Sequence, residues 1–100
     1  MTKKMEVIFS ELAKLELEDA ETYYEFQQEG LGTRFKLSIK EGINRILQFP
    51  LSWSFEKDEV RKCILSRFPY IILYSIEKDH IFIIAIAHTH RKPNYWVDQL

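Results

Sequence analysis

Apolar residues recur along this chain at two different periods, and the change between them falls near residue 59. Before that point the spacing is helical. Ala13, Leu17, Ala20 and Tyr24 follow one another at +4, +3 and +4, and Phe35, Ile39, Ile43, Ile46 and Leu47 make a second stripe of the same kind. Ser10 stands where a helix cap is wanted, since its hydroxyl can accept an orphan backbone N–H. Acidic residues crowd the early turns, where the helix dipole favours them. Gly30 stops the first helix and makes a tight corner with Leu31 and Gly32. Pro50 ends the second, with Phe49 pushed away from helical angles. Gly42 interrupts that helix at a cost of up to about 1 kcal/mol relative to Ala, which points to close packing.

Extended pattern frames this hairpin. Met5–Phe9 is a short β-prone run, and three longer ones, Val60–Ser66, Phe68–Ile76 and Ile81–Ala87, follow the helices. Short breaks at Arg67 and at Glu77–His80 predict an antiparallel meander. Leu51–Asp58 is polar, carries Trp53 and Phe55, and reads as a surface connection. The predicted order is β-α-α-β-β-β, an α+β fold with a helical hairpin packed on one face of an antiparallel sheet. Residues 1–100 are expected to form a single domain.

These strands do not alternate as a half-solvated sheet should. Phe68, Tyr70, Ile72, Tyr74 and Ile76 line one face of their strand, yet Ile71 and Leu73 line the other. Ile81–Ala87 is apolar on both. Two helices cover one face only, so the second is expected to be left for a partner. The alternative is that the Trp53–Phe55 loop or the C-terminal tail folds over it.

Composition narrows the class. The 100 residues are 46% hydrophobic and 29% charged, with a formal net charge of −1, which is globular and carries no overall signature of a nucleic-acid binder. The single cysteine, Cys63, forms no internal disulfide and reads as a small core residue in a reducing compartment. No apolar run approaches the roughly 20 residues of a membrane span. The positive opening, Met-Thr-Lys-Lys, is followed by no apolar stretch of a signal peptide, so a cytoplasmic protein is expected.

Candidate chemistry concentrates just past the last strand, in His88-Thr89-His90-Arg91-Lys92-Pro93-Asn94-Tyr95-Trp96. His88 and His90 project to one side of an extended chain. Two ligands without a third make no catalytic zinc site, and no metal or cofactor is expected. A histidine acting as acid or base beside Arg91 or Lys92 could cleave a phosphodiester. Equally, the segment could be the polar end of a strand with a tail anchored by Tyr95 and Trp96. Arg61, Lys62 and Arg67 could neutralise phosphates or an acidic partner, or serve to keep an edge strand from aggregating.

Three segments carry a resemblance to a known family: Tyr23–Phe35, then Val60-Arg61-Lys62 with Arg67–Tyr74, and Ala87–Trp96. In this order they resemble the RelE/ParE superfamily of toxins from bacterial type II toxin–antitoxin systems, with the ParE-type, plasmid-stabilisation branch most similar. The resemblance implies a helical hairpin on an antiparallel sheet, and a cognate antitoxin that wraps an otherwise exposed surface. It also implies a target. RelE-like members cleave mRNA on the ribosome, whereas ParE-like members inhibit DNA gyrase without being nucleases. RelE-like nucleases usually carry an arginine directly after the Tyr70 position, and here that residue is Ile71. The expectation is a ParE-like, growth-inhibiting gyrase toxin, non-enzymatic, able to pair with itself when its antitoxin is absent. The alternatives are an endoribonuclease using His90, Arg91 and Tyr95, or a degenerate non-toxic interaction domain. Target or partner contacts are expected from Arg61, Arg67, His88, His90, Arg91, Lys92, Tyr95 and Trp96.

Overall fold

The computed structural model describes residues 5–100; the charged opening, residues 1–4, lies outside them. A short strand β1 (Glu6–Phe9) leads into α1 (Glu11–Gln27) and α2 (Leu31–Gln48), followed by β2 (Phe55–Lys57), β3 (Val60–Ile64), β4 (Tyr70–Ile76) and β5 (His80–His88). The sheet order is β1-β5-β4-β3-β2. The three long strands form the expected antiparallel meander. β1 lies parallel to β5, making the sheet mixed. Some 70 residues separate those two strands, so no hairpin turn dictates their direction.

Local signals act as expected at the helix ends. Ser10 Oγ accepts the Ala13 N–H at 2.9 Å and caps α1. Gly30 sits in the left-handed region at φ 86°, so that α2 can start one residue later. A side chain at Gly42 would come within 2.8 Å of Ile72 Cδ1 and 3.1 Å of Leu65 Cδ2, which explains a glycine inside a helix. There α2 touches the sheet almost backbone to side chain. Phe35, Ile39 and Ile46 of α2 join Ala13 and Ala20 of α1 over Cys63, Ile72, Tyr74, Ile81, Ile83 and Ile86.

Two expectations are corrected here. Leu51–Asp58 lies at the surface as expected, but it is not only a connection. Phe55–Lys57 forms an edge strand on β3, because Arg61 donates to Leu51 O (3.1 Å) and Trp53 O (2.7 Å) and stacks on the Phe55 ring. Nor is the second sheet face left to a partner. The chain turns back after β5, and Trp96, 2% exposed, packs with Val60, Leu73, Ile84, Ala85 and Ala87. Tyr95 and Val97 flank it, ahead of a 3₁₀ turn at Val97–Gln99. An aromatic ring supplied by the chain itself offsets the cost of an apolar second face, so the tail is part of the core.

Replacing Trp96 with Ala should therefore cost about 3–5 kcal/mol in urea unfolding, as for other large buried aromatics. A loss under about 1 kcal/mol would show that the tail does not cover this face.

Candidate functional site

β5 is nine residues long but β1 pairs with it only from His80 to Ile83. Beyond Ile83 the outer edge of β5 has no strand beside it, and unpaired backbone groups there would be costly. Residues at the start of α1 replace the missing strand. The Ser10 N–H donates to Ile83 O at 2.9 Å, and Ser10 Oγ donates to Ile84 O at 2.7 Å. Glu16 Oε1 accepts the Ile86 N–H at 2.9 Å. The other Glu16 oxygen accepts the Tyr95 hydroxyl, so one carboxylate ties α1, the β5 edge and the C-terminal segment together.

A bulge decides which residues face this junction. Leu73 pairs with Ala85 and Tyr74 with Ile83, leaving Ile84 as an extra residue in β5. Ile81 and Ile83 face the helices, Ile84 and Ala85 both face the tail, and Ile86 returns to the helix side. The bulge thereby brings His88 round beside Tyr70, their ring centres 5.1 Å apart. Strict alternation from Ile81 would have sent it to the opposite face.

The result is an open cleft of about 280 Å³ between α1 and the end of β5. Glu16, Asp19 and Tyr23 form the α1 wall; Tyr70, His88 and Arg91 form the other. His88 and His90 lie on one side as expected, with ring centres 5.2 Å apart. The His90 N–H donates to His88 Nδ1 at 3.0 Å, so a neutral His88 ring carries its proton on Nε2. Arg91 stacks over the Tyr95 ring, 4.0 Å from its centre. Burial pushes the Glu16 carboxyl up from its ordinary value, and the bonds from Tyr95 and Ile86 act against that. Burial also raises the Tyr95 phenol, with Glu16 beside it adding to the effect, and raises Tyr70 with help from Tyr24.

The candidate residues separate into groups. His88, His90, Arg91 and Tyr95 converge on the cleft or its rim. Lys92 is exposed beyond them, and Arg67 is exposed in the β3–β4 turn on the other side of β4. Arg61 holds the loop before β3, and Trp96 belongs to the core. Glu16, Asp19, Tyr23 and Tyr70 were not anticipated as site residues. Glu16 and Asp19 look like ordinary acidic residues of an early helical turn until the open edge of β5 is placed against them. Among the described residues no group of three or more His, Cys, Asp or Glu is arranged to hold a metal ion. No described helix is long and apolar enough to cross a membrane.

A hairpin on a five-stranded sheet, with a polar cluster after the last strand, is the arrangement that the resemblance to RelE/ParE toxins implies. The sequence profile for the ParE toxin of the type II toxin–antitoxin system parDE matches residues 7–93, and the chain belongs to that family. A solved structure described as a chromosomal ParDE toxin–antitoxin system from P. aeruginosa superposes with a TM-score of 0.72 at 18% identity. The match covers 87% of this chain and 98% of that one, and it shows the shared fold. A search of curated proteins gives no match.

The raised Glu16 carboxyl sets a pH dependence. A group whose folded pKa lies above its unfolded value adds stability below the unfolded value, near 4.5, and loses it as pH rises through the folded one. Melting curves of wild type and Glu16→Gln from pH 4 to 7 should show the wild type gaining on the variant as the pH falls. A relative loss on acidification would mean that the bonds to Tyr95 and Ile86 outweigh burial.

Proposed function

We propose that this ParE-family chain is a toxin that inhibits DNA gyrase without cutting nucleic acid, and that a cognate antitoxin neutralises it. The observation that carries the non-nuclease reading is Ile71. It follows Tyr70, where RelE-like nucleases usually carry an arginine, and it packs with the tail on the opposite face of the sheet. Two further features support this reading. Tyr95, a candidate for RNA cleavage, has its hydroxyl engaged by Glu16. Glu16 and Asp19 also put negative charge where a phosphate backbone would approach His88 and Arg91. The polar cluster His88-Thr89-His90-Arg91 then serves as a protein-contacting surface. His90 and Arg91 are exposed, as such a surface requires.

The antitoxin reading moves from the sheet face, which the tail covers, to the hairpin. Phe9, Leu17, Leu37, Ile39 and Ile43 line an apolar groove of about 450 Å³ between α1, α2 and β1, with Lys36 and Lys40 on its rim. An amphipathic antitoxin segment with acidic flanks fits that combination of apolar floor and basic rim.

Two experiments test the two halves. Inducing the protein should leave transcripts intact while plasmid supercoiling falls, and purified protein should block supercoiling by gyrase in vitro. The His90→Ala/Arg91→Ala variant should lose this inhibition while changing stability by no more than about 1 kcal/mol, the size of the exposed Arg91–Tyr95 stacking it removes. Transcript cleavage by the wild type, lost in the variant by about 10²–10⁴-fold, would instead establish a nuclease.

For the antitoxin, Leu37 is the informative position, being 53% exposed over the groove. Leu37→Asp should weaken antitoxin binding by about 2 kcal/mol or more, as for an interface hot spot, and leave the protein folded and toxic. Undiminished rescue by the antitoxin would take the groove out of the interface.

A further inference from the structure

The cleft beside β5 combines two features that are unusual for the surface of a nucleic-acid enzyme. Its α1 wall is acidic, and its floor is aromatic. Asp19 lies one helical turn beyond Glu16, and each faces the same opening. Burial is the main cause of the raised Glu16 carboxyl, and the Asp19 charge adds a smaller push in the same direction, against that of Arg91. No Lys, Arg or His lies within 4.0 Å of either carboxylate among the described residues. The wider field has the same sign, because α1 carries six carboxylates (Glu11, Glu16, Glu18, Asp19, Glu21, Glu25) against one lysine, Lys14. From α1 to the far wall, the rings of Tyr23, Tyr24, Tyr70, His88 and His90 form a chain with neighbouring centres 5.1–6.2 Å apart. Tyr23 is 59% exposed, so a ring of this chain is open to a ligand.

We propose that this cleft receives an arginine side chain from a protein partner, the guanidinium lying against Tyr23 and Tyr70 and paired with Asp19. A planar guanidinium suits the site better than an ammonium. It stacks on tyrosine faces, and its fork matches a carboxylate with two parallel bonds. The cleft already displays the mode on its far rim, where the chain's own Arg91 lies over the Tyr95 ring while its charge acts on Glu16. A second guanidinium on the Asp19 side would supply the cation that no described residue places within 4.0 Å of that carboxylate. A phosphate or a nucleotide would meet that same pair of carboxylates and be repelled. The proposal stands whatever the cellular target, because it concerns only the chemistry that the cleft selects.

The test is a titration of the isotope-labelled full chain, followed by NMR at the aromatic and histidine resonances. The probes are N-acetyl-arginine amide, N-acetyl-lysine amide and AMP. Expected are saturable shifts at Tyr23, Tyr70 and His88 with the arginine probe, weaker ones with lysine and none with AMP. Asp19 is exposed, so Asp19→Asn keeps the fold and should weaken the arginine probe about tenfold, the size of a lost charged hydrogen bond. Asp79→Asn, at the far end of β5, should leave binding unchanged. Shifts with AMP but not arginine, arginine shifts that do not saturate, or binding equally strong in Asp19→Asn would each overturn the proposal.

Discussion

The structure turns on a mismatch of length along one edge of β5. That strand is buried on both faces for most of its run, yet its neighbour β1 ends after four residues. The backbone beyond Ile83 must still be satisfied, and Ser10 and Glu16 satisfy it from the start of α1. Ser10 does so while also capping the helix, so one hydroxyl fixes both where α1 begins and where it lies against the sheet. Because α1 is held by its side chains and not by a strand, a gap remains between helix and sheet edge further along. That gap is the cleft. Its existence follows from β1 being short, and its chemistry follows from which α1 residues line it.

The bulge at Ile84 is the second device, and it links packing to the candidate site. An unbroken alternation would aim Ala85 and Ala87 at the hairpin and His88 at the tail. The extra residue reverses this, filling the second face with Ile84, Ala85 and Ala87 beneath Trp96 and delivering His88 to the cleft. A single inserted position thus serves both the core and the surface. It also binds the tail to the site, since the segment that carries His90 and Arg91 is the one that Trp96 anchors a few residues later. Contacts made by Arg91 therefore rest on a buried indole, and on the Tyr95–Glu16 bond between them.

The hairpin, its caps and the meander were legible in the sequence because each rests on local signals: apolar period, Ser10, Gly30, Pro50 and short polar breaks. The tight approach at Gly42 was legible for the same reason. What escaped were features set by distant partners. The short strand at Phe55–Lys57 depends on Arg61 reaching back to loop carbonyls, which no periodicity records. The tail's return over the sheet was open only as the alternative to a partner, because Trp96 gives no sign in sequence whether it serves the core or another chain. Apolar residues on both faces of β4 and β5 correctly announced a second cover, and of the two sources expected for it the tail, not a partner, supplies it. Half of the site was visible as the His88–Tyr95 cluster. The other half lies on α1, more than 60 residues earlier, where Glu16 and Asp19 are disguised as the acidic start of a helix.

A net charge of −1 conceals two fields of opposite sign. α1 is acidic, whereas α2 carries Arg34, Lys36, Lys40 and Arg45 against Glu41 alone. The two helices are adjacent, so the hairpin presents a basic-rimmed apolar groove on one side and an acidic aromatic cleft on the other. Leu17 lines the first and Glu16 the second, neighbouring residues pointing to different surfaces. Surfaces of opposite charge repel each other's ligands, since an acidic segment suited to the groove is poorly suited to the cleft. A partner filling the groove would therefore leave the cleft empty unless it also carried basic residues across α1. If an antitoxin docks in the groove as proposed, the charge pattern sets a compositional demand on it. Its groove-binding portion has to be acidic and apolar, and any portion that closes the cleft has to be basic. One that met only the first demand would hold the toxin while leaving His88 and Arg91, the proposed target contacts, uncovered.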